Sequence, residues 1–458
     1  MISEEIFRAY DVRGVYGKNI DENVAYVIGR AFASYLGKGG RALIGRDVRL
    51  SGESLSRAVA AGLIDEGFRV DYAGTVPTPT LYLSVVDGKY DCGIQVTASH
   101  NPPEWNGFKL VLGSGETISE GMGMEELKRS VLSYGSLKYD RGRVEFERVE
   151  VLSNYVVKLL SLVSVSRPVR VAIDFSNGAV AVLGKRIFES LGCEVIPLND
   201  EPDGNFPAHL PEPNEETMRE LAKLVRTSGA EFGIGFDGDG DRAVFIDERG
   251  VMIDGDIALA VLVSNSKLKG KVVYDVSSSS ALEEVIRSSG CEPVLSRVGR
   301  AFMLKKVREV GAVIGAEKSN HFYFSELYGF DDGIFAALRM IELVSRRNEP
   351  FSKLVEAIPR YHTSQIHTVD VPDRLKFEAM RKIAERLRPI SERLVEIDGV
   401  KAYFRDGWVL IRPSNTMPQI KYVAEARDST ALEKYLSMAR DLITEATVQR
   451  GGAIGRVS

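Results

Sequence analysis

One pattern of strands, acidic residues and glycines occurs three times in this chain of 458 residues and limits the folds it can adopt. Each copy starts with a short apolar strand that ends in aspartate, continues with a helix and a glycine, and closes with a second strand. The aspartates are Asp47, Asp174 and Asp275. The copies start roughly 100 to 130 residues apart, which is too long for a solenoid. The pattern therefore predicts three similar α/β domains.

The last part of the chain follows a different pattern, with short strands between two helices predicted over 374–387 and 430–446. This arrangement predicts a smaller α+β domain with an antiparallel sheet. The four predicted domains are residues 1–149, 150–250, 251–362 and 363–458.

Composition and charge limit the partners and the compartment. The net charge is −5 with both signs interspersed, which argues against a nucleic-acid or anionic-membrane partner. The acidic N-terminus contains no signal-peptide core, and no apolar run is long enough to span a bilayer. The three cysteines are far apart in the sequence, as buried thiols in a reducing compartment would be. We therefore expect a cytoplasmic protein, either a monomer or a homodimer.

Residues 97–103, with the sequence T-A-S-H-N-P-P, follow an apolar run that is typical of a buried strand. The two prolines exclude ladder pairing and prevent a helix from starting, so Ser99 should lie on a stiff loop at the carboxyl end of a strand. Ligands bind at that edge of an α/β sheet. The alternative is a turn of Ser, Asn and Pro without a function.

A second loop, D-G-D-G-D-R at 237–242, lies between two apolar strands. Its carboxylates, Asp237, Asp239 and Asp241, alternate with glycines that let the backbone direct all three at one point, where a hard cation would balance them. A dinucleotide fingerprint does not fit because no helix follows. An EF-hand does not fit because Arg242 holds the position that requires glycine. Three aspartates leave Mg²⁺ short of ligands, and a phosphate on Ser99 would supply another, with Arg242 binding the transferring group.

Two further loops carry polar residues after predicted strands. Glu317 and Ser319 lie two positions apart, so in an extended loop both can face sugar hydroxyls, and Arg300 upstream is a candidate phosphate contact. A solvated loop is the alternative. Near the C-terminus, the loop R-P-S-N-T-M-P at 412–418 combines a guanidinium fork with hydroxyls and an amide, which predicts a phosphate-binding loop rather than a plain hairpin.

Taken together, these motifs resemble the α-D-phosphohexomutase superfamily, in particular its bifunctional phosphomannomutase/phosphoglucomutase group. The resemblance spans the whole chain, and all four loops occur in the family's order. It implies four domains in a heart-shaped arrangement, three of them mixed α/β domains with a shared topology. It also implies that Ser99 is a phosphoserine that binds one Mg²⁺ per chain together with Asp237, Asp239 and Asp241.

The resemblance also assigns the remaining site residues. The positions that line the active site in the family are Tyr10, Arg13, His100, Lys109 and Arg242. The positions that contact the sugar are Glu317 and Ser319, with His321 beside them. The positions that hold the non-reacting phosphate are Arg412, Ser414, Asn415 and Thr416. The chain departs from the family where both glycines of the sugar loop are replaced, by Ala316 and Asn320, and where Ser277 and Arg300 replace a lysine and a histidine.

The implied reaction interconverts hexose 1-phosphate and hexose 6-phosphate, with mannose and/or glucose as the sugar. Phosphorylated Ser99 would phosphorylate the free hydroxyl, and the resulting hexose 1,6-bisphosphate, which also serves as activator, would turn round and return its other phosphate. Lys109 and His100 are both candidates for moving the hydroxyl proton. We favour Lys109 as the acid/base, with its pKa lowered by Arg13, and His100 as an orienting residue.

Three alternatives remain open: a phosphoglucosamine mutase, a strict phosphoglucomutase, and a non-catalytic protein that binds metal or sugar phosphate. A hydrolase is disfavoured because the chain has no G-x-S-x-G motif.

Overall fold

The structure is a computed structural model that describes residues 2–37, 39–135, 137–140, 144, 146–414 and 417–447. Its strands form four sheets, and each sheet is built from strands that are consecutive in the chain. The first three sheets mix parallel and antiparallel pairs, and the fourth is wholly antiparallel. The predicted fold class is confirmed. None of the described helices is long and apolar enough to cross a membrane.

The first sheet has six strands in the order β1-β5-β4-β2-β3-β6. The elements are β1 (Val12–Val15), α1 (Glu22–Leu36), β2 (Gly40–Arg46), α2 (Gly52–Asp65), β3 (Phe68–Thr75), α3 (Thr78–Asp87), β4 (Cys92–Val96), β5 (Trp105–Leu112), α4 (Met124–Tyr134) and β6 (Glu147–Arg148). Helix α1 is capped at both ends: the Asp21 side chain accepts from the Val24 N–H, and Gly37 ends the helix at φ +85°.

The second sheet has five strands in the order β11-β10-β9-β7-β8. The elements are α5 (Leu152–Ser161), β7 (Arg170–Asp174), α6 (Arg186–Glu189), β8 (Glu194–Leu198), α7 (Arg219–Ser228), β9 (Phe232–Phe236), β10 (Ala243–Asp247) and β11 (Met252–Ile253). The single helix that the repeated pattern predicts between the first and second strands is here broken into a short 3₁₀ turn (Ala179–Val182) and α6, because Gly184 lies between them at φ +62°. Strand β11 also carries this sheet past the predicted boundary at 250/251.

The third sheet has four strands in the order β13-β12-β14-β15. The elements are α8 (Gly255–Ser264), β12 (Lys271–Asp275), α9 (Ser280–Ser288), β13 (Glu292–Ser296), α10 (Arg300–Val310), β14 (Ile314–Ala316), β15 (Phe322–Phe324), α11 (Gly333–Ser345) and α12 (Phe351–Glu356).

The fourth sheet has six strands, with two helices packed against it. The elements are β16 (His362–Thr363), β17 (His367–Asp370), α13 (Asp373–Leu387), β18 (Arg393–Val395), β19 (Val400–Phe404), β20 (Gly407–Pro413), β21 (Gln419–Ala426) and α14 (Ser429–Thr447). The domain boundaries themselves stay predictions.

The three repeated units share one strand order, which places their functional loops alike. In each sheet, one strand pairs in parallel with a neighbour on one side and antiparallel, on its other side, with the strand that follows it in the chain. These consecutive antiparallel pairs are β4 and β5, β9 and β10, and β14 and β15. The loops at 97–104, 237–242 and 317–321 are the turns that join these three pairs. The chain thus uses one topological position three times, once for each of the three site loops predicted in the α/β domains.

The fourth domain docks on the third through buried polar contacts. The ammonium of Lys401, which is 1% exposed, donates to the carbonyls of Val276 and Ser278 at 2.9 and 3.0 Å and lies 3.7 Å from the ring of Trp408. In the opposite sense, the Ser280 N–H of the third domain donates to Glu425 at 2.8 Å. These contacts hold the C-terminal sheet beside the loops of the third domain.

Candidate active site

Ser99 lies in the loop after β4, and its side chain is buried. Its φ of +51° falls in the left-handed region, which a residue other than glycine adopts only when its surroundings hold it there. The Ser99 N–H donates to Thr97 Oγ1 at 2.8 Å, and Thr97 Oγ1 donates to Asp47 at 2.6 Å. Side chains at the ends of β4 and β2 therefore fix the serine.

Arg49 also holds this loop in place. This role was not predicted from the sequence. It is fully buried, and its Nε donates to Asp47 at 3.0 Å. Its two terminal nitrogens donate to four backbone carbonyls of the loop, at distances of 2.5 to 2.9 Å, namely those of Ser99, Asn101, Pro102 and Trp105. The available signal was the spacing Asp47-x-Arg49 directly after a buried strand, which places both charges under the neighbouring loop.

The three aspartates of the second loop form a buried cluster, with one carboxylate oxygen of each within 4.8 Å of the others. The loop folds tightly, since Gly240 has φ +79° and its N–H donates to Asp237 at 2.9 Å. Burial and the neighbouring Asp241 and Asp239 carboxylates raise the pKa of Asp237. Within the described part of the chain, Asp239 Oδ1 and Asp241 Oδ1 are buried without a hydrogen-bond partner. Three clustered carboxylates, two of which have an oxygen without a hydrogen-bond partner, fit a hard divalent cation.

The serine and this cluster meet directly. The Ser99 hydroxyl donates to Asp237 Oδ2 at 2.8 Å, across the boundary between the first and second sheets. On the other side of the serine, His100 Nδ1 lies 3.3 Å from Ser99 Oγ. Burial, with the positive charges of Arg242 and Arg13, lowers the pKa of His100 to about 2, so this imidazole is neutral.

Lys109 lies on β5, and its ammonium donates to Asp239 at 2.7 Å and to Asp241 at 2.5 Å. Burial alone would lower the pKa of Lys109, but these two carboxylates raise it above its ordinary value. The prediction that Arg13 lowers the pKa of Lys109 is therefore wrong. The Arg13 guanidinium instead pairs with Asp11 at 2.7 Å and donates to Asn101 at 2.7 Å.

The third loop lies against the metal loop. Arg242 Nε donates to His321 Nε2 at 3.2 Å, so a neutral His321 carries its proton on Nδ1, which lies 3.1 Å from Ser319 Oγ. Asn320 has φ +69°, as expected for the residue that replaces glycine there. Glu317 is buried, and its two oxygens accept from the Gly299 N–H and the Tyr323 hydroxyl, both at 2.7 Å.

Two predicted contact residues reach the site from α10 and the N-terminus. Tyr10 donates to the Val298 carbonyl at 3.1 Å, and burial together with Glu317 and Asp398 raises its pKa to about 12. Gly299 leaves room for this ring, since a Cβ there would lie 2.0 Å from the Tyr10 oxygen.

Arg300 is buried and donates through Nε and one terminal nitrogen to both oxygens of Asp331, at 2.5 and 2.6 Å. Its guanidinium also lies over the Tyr82 ring, with its central carbon 4.7 Å from the ring centroid. Much of its hydrogen-bonding capacity is therefore used inside the protein.

A cavity of about 440 Å³ joins these groups. Residues of the first three domains line it, and eleven of the predicted site residues are among them. They are Tyr10, Arg13, Ser99, His100, Lys109, Asp241, Arg242, Arg300, Glu317, Ser319 and His321.

The predicted phosphate loop lies in a neighbouring cavity of about 870 Å³, which shares Val298 and Ser319 with the first. Arg412 and Ser414 line it, and Arg412 pairs with Asp398 at 2.5 Å. Asn415 and Thr416 lie outside the described residues. The two cavities adjoin, so one ligand with two separated anionic or polar ends can occupy both.

Family models of known proteins match all four domains of the chain. The family models for phosphoglucomutase/phosphomannomutase alpha/beta/alpha domains I, II and III match residues 4–136, 153–250 and 254–361, and the C-terminal domain model matches 368–442. A phosphomannomutase/phosphoglucomutase of Pseudomonas putida is 36% identical over 448 residues, covering 96% of this chain and 95% of that protein.

Two other similar proteins differ in kind. A probable phosphoglucosamine mutase of Methanopyrus kandleri is 36% identical over 427 residues, covering 92% of this chain and 93% of that protein. The crystal structure of a phosphoglucomutase/phosphomannomutase family protein from Burkholderia thailandensis superposes with a TM-score of 0.87 at 33% identity, covering 99% of this chain and all of that one.

Proposed function

The chain belongs to the phosphoglucomutase/phosphomannomutase family of enzymes, and we propose that it interconverts the 1- and 6-phosphates of mannose and/or glucose through a phosphoserine at Ser99. One observation carries the proposal: the Ser99 hydroxyl contacts Asp237 in a cavity that also contains the sugar loop and opens beside Arg412. A nucleophile, a cation site and two separated binding regions are what a phosphoryl relay requires.

In the proposed reaction, the bond between phosphorus and Ser99 Oγ breaks as a bond between phosphorus and the sugar hydroxyl oxygen forms, and the proton that this hydroxyl loses ends on the released Ser99 Oγ. Neutral His100 is well placed to orient the serine oxygen. The ion pairs of Lys109 raise its pKa and keep its proton on Nζ, so we assign Lys109 the role of a fixed positive charge that stabilises the departing Ser99 oxygen. Arg242 and Arg13 supply positive charge on the same cavity wall.

We propose one Mg²⁺ per chain, held by Asp237, Asp239, Asp241 and an oxygen on Ser99. When bound, it would supply positive charge to the transferring phosphoryl group. Two observations support this cation site. Asp239 and Asp241 each have a buried oxygen without a hydrogen-bond partner, and the pKa of Asp237 is raised, a shift that a bound divalent cation would reverse.

The two ends of the substrate are assigned to the two cavities. Glu317, Ser319 and His321 would bind sugar hydroxyls, with Tyr10 and Arg300 beside them. The non-reacting phosphate would bind in the adjoining cavity, at Arg412 and Ser414 and, by the predicted pattern, Asn415 and Thr416. Hexose 1,6-bisphosphate, the proposed intermediate, carries a phosphate at each end and matches this arrangement.

The test combines turnover and mass. We expect the chain to isomerise mannose 1-phosphate or glucose 1-phosphate with Mg²⁺ present, and intact mass after incubation with hexose 1,6-bisphosphate to show one added phosphoryl group. Ser99→Ala should lose both, while Ser133→Ala, at an exposed serine of α4, should keep both. Turnover by Ser99→Ala near the level of the unmodified chain would contradict the phosphoserine.

A second activity has a specific observation in its favour, because the Methanopyrus kandleri relative carries the name of a phosphoglucosamine mutase at 36% identity. Including glucosamine 1-phosphate in the same assay distinguishes a phosphoglucosamine mutase from a mutase of mannose or glucose phosphate. Preference for the amino sugar by more than about tenfold in kcat/KM, about 1.4 kcal/mol, would replace the first assignment with the second.

A further inference from the structure

The second cavity contains more positive charge than the predicted phosphate loop supplies. Besides Arg412, it is lined by Lys421 of β21 and by Lys318, which lies between Glu317 and Ser319 in the sugar loop. Glu215 and Asp254 are the only carboxylate residues among its described lining, so the cationic side chains outnumber them. The surplus lies where the proposed substrate would place a phosphate.

Lys421 lies directly opposite Arg412 on the paired strands β20 and β21. Side chains at directly opposed positions project from the same face of a sheet with their Cβ atoms about 5 Å apart, and like charges there repel each other. Asp398 balances Arg412 at 2.5 Å. The exposed ammonium of Lys421 has no ion-pair or hydrogen-bond partner in the described part of the chain. A dianion shared by the two side chains would remove this repulsion.

Lys318 approaches the cavity from the third domain. Its N–H donates to Asp275 at 2.8 Å, which fixes the backbone of the loop, while its ammonium lies 3.5 Å from Asp254. Burial would lower the pKa of Lys318, but Asp256 and Asp254 raise it above its ordinary value, so the side chain stays charged. The long contact with the exposed Asp254 leaves donors available for a ligand.

We propose that Lys318 and Lys421 bind the phosphate that is not transferred, from opposite domains, so that this phosphate joins the third domain to the fourth. The inference rests on the proposed function and extends it to two residues that are not among the predicted phosphate contacts. Both ammonium groups would contact phosphate oxygens and not ring hydroxyls, so they set affinity for the phosphate and do not select the sugar.

The experiment measures steady-state kinetics with glucose 1-phosphate and mannose 1-phosphate, and calorimetric binding of inorganic phosphate, for Lys318→Met, Lys421→Met and the double variant. We expect each single variant to raise KM and the Kd for phosphate about tenfold, equally for both sugars, with kcat changed less than about threefold. The double variant should lose less than the product of the single effects, because both residues contact one ligand. Lys421→Arg, which keeps the positive charge, should retain phosphate binding. Lys382→Met, at an exposed ion pair on α13, should change neither KM nor the Kd for phosphate.

Unchanged KM and phosphate affinity in both single variants of an active enzyme would overturn this inference and leave the proposed function standing. A KM change confined to one sugar would also overturn it, by assigning the lysines to the ring. Absence of turnover on every hexose phosphate by the unmodified chain would refute the proposed function alone, and phosphate calorimetry would still decide the lysines.

Discussion

The hydroxyl of Ser99 donates to Asp237 at 2.8 Å, although 138 residues separate the two in the chain. The contact joins the first sheet to the second and places the proposed nucleophile at the edge of the carboxylate cluster. It depends on the left-handed backbone of Ser99, because φ directs the side chain out of the β4–β5 turn. The reactive geometry is therefore a property of the loop conformation as much as of the serine itself.

We predict that Ser99→Thr does not preserve activity, although it keeps a hydroxyl. A β-branched residue is disfavoured at φ +51°, so threonine should move the loop or place its oxygen away from Asp237. We expect kcat to fall at least about a hundredfold, which corresponds to about 2.7 kcal/mol. Thr80→Ser and Ser133→Thr provide controls for hydroxyl exchange elsewhere. Phosphorylation and turnover close to those of the unmodified chain would show that loop conformation does not limit the reaction.

Arg49→Lys should weaken both the fold and the reaction. Lysine keeps the charge beside Asp47 but lacks the planar fork that satisfies four carbonyls of the serine loop, so several buried acceptors lose their donors. We expect a loss of about 2–4 kcal/mol in the free energy of unfolding, measured by urea denaturation, and a kcat decrease that Mg²⁺ does not reverse.

Arg57→Lys is the matched control for Arg49→Lys, because Arg57 forms an exposed ion pair with Glu53 on α2. That change should cost less than about 1 kcal/mol. Equal stability losses in the two variants would show that the buried fork is not what holds the loop.

The sequence predicts the parts of the site that follow locally from strands and their ends. Ser99, the three aspartates and Glu317 each follow an apolar strand, and the shared strand order brings those turns together. The sequence does not predict which charges pair, because that depends on side chains from distant strands. Lys109 meets Asp239 across 130 residues, and its ion pairs reversed the expected direction of its pKa shift. Arg49 was missed for the same reason, since the loop carbonyls that it binds lie 50 to 56 residues further along the chain.

The pairing of His209 with Asp174 predicts a pH dependence of stability. Burial would lower the pKa of His209, but the Asp174 carboxylate, 3.1 Å away, raises it above the value in the unfolded chain. The folded state therefore binds the proton more tightly. The stabilisation is fully present below the unfolded pKa of about 6.5 and is lost as the pH rises through the folded pKa.

Thermal unfolding should show that His209→Gln removes part of the stability at pH 6, up to about 1 kcal/mol, and little at pH 9. His362→Gln, at an exposed histidine of β16, should leave the pH profile unchanged. Equal destabilisation of His209→Gln at both pH values would indicate lost packing and would exclude the proton linkage.

Lys109→Met should increase the affinity for Mg²⁺ while it lowers turnover. The ammonium of Lys109 balances Asp239 and Asp241 and so competes with any cation for the same oxygens. Without it, the buried carboxylates lack a counter-ion, and we expect the apo-protein to lose about 3–5 kcal/mol of stability, part of which Mg²⁺ restores. Calorimetry should show Mg²⁺ binding about tenfold tighter, and thermal melting should show a larger gain on adding Mg²⁺ than in the unmodified chain. Lys382→Met should bind Mg²⁺ as the unmodified chain does, since its partner Glu378 is remote from the cluster in the fourth domain. Weaker Mg²⁺ binding by Lys109→Met would mean that the lysine helps to assemble the cation site and does not compete with its occupant.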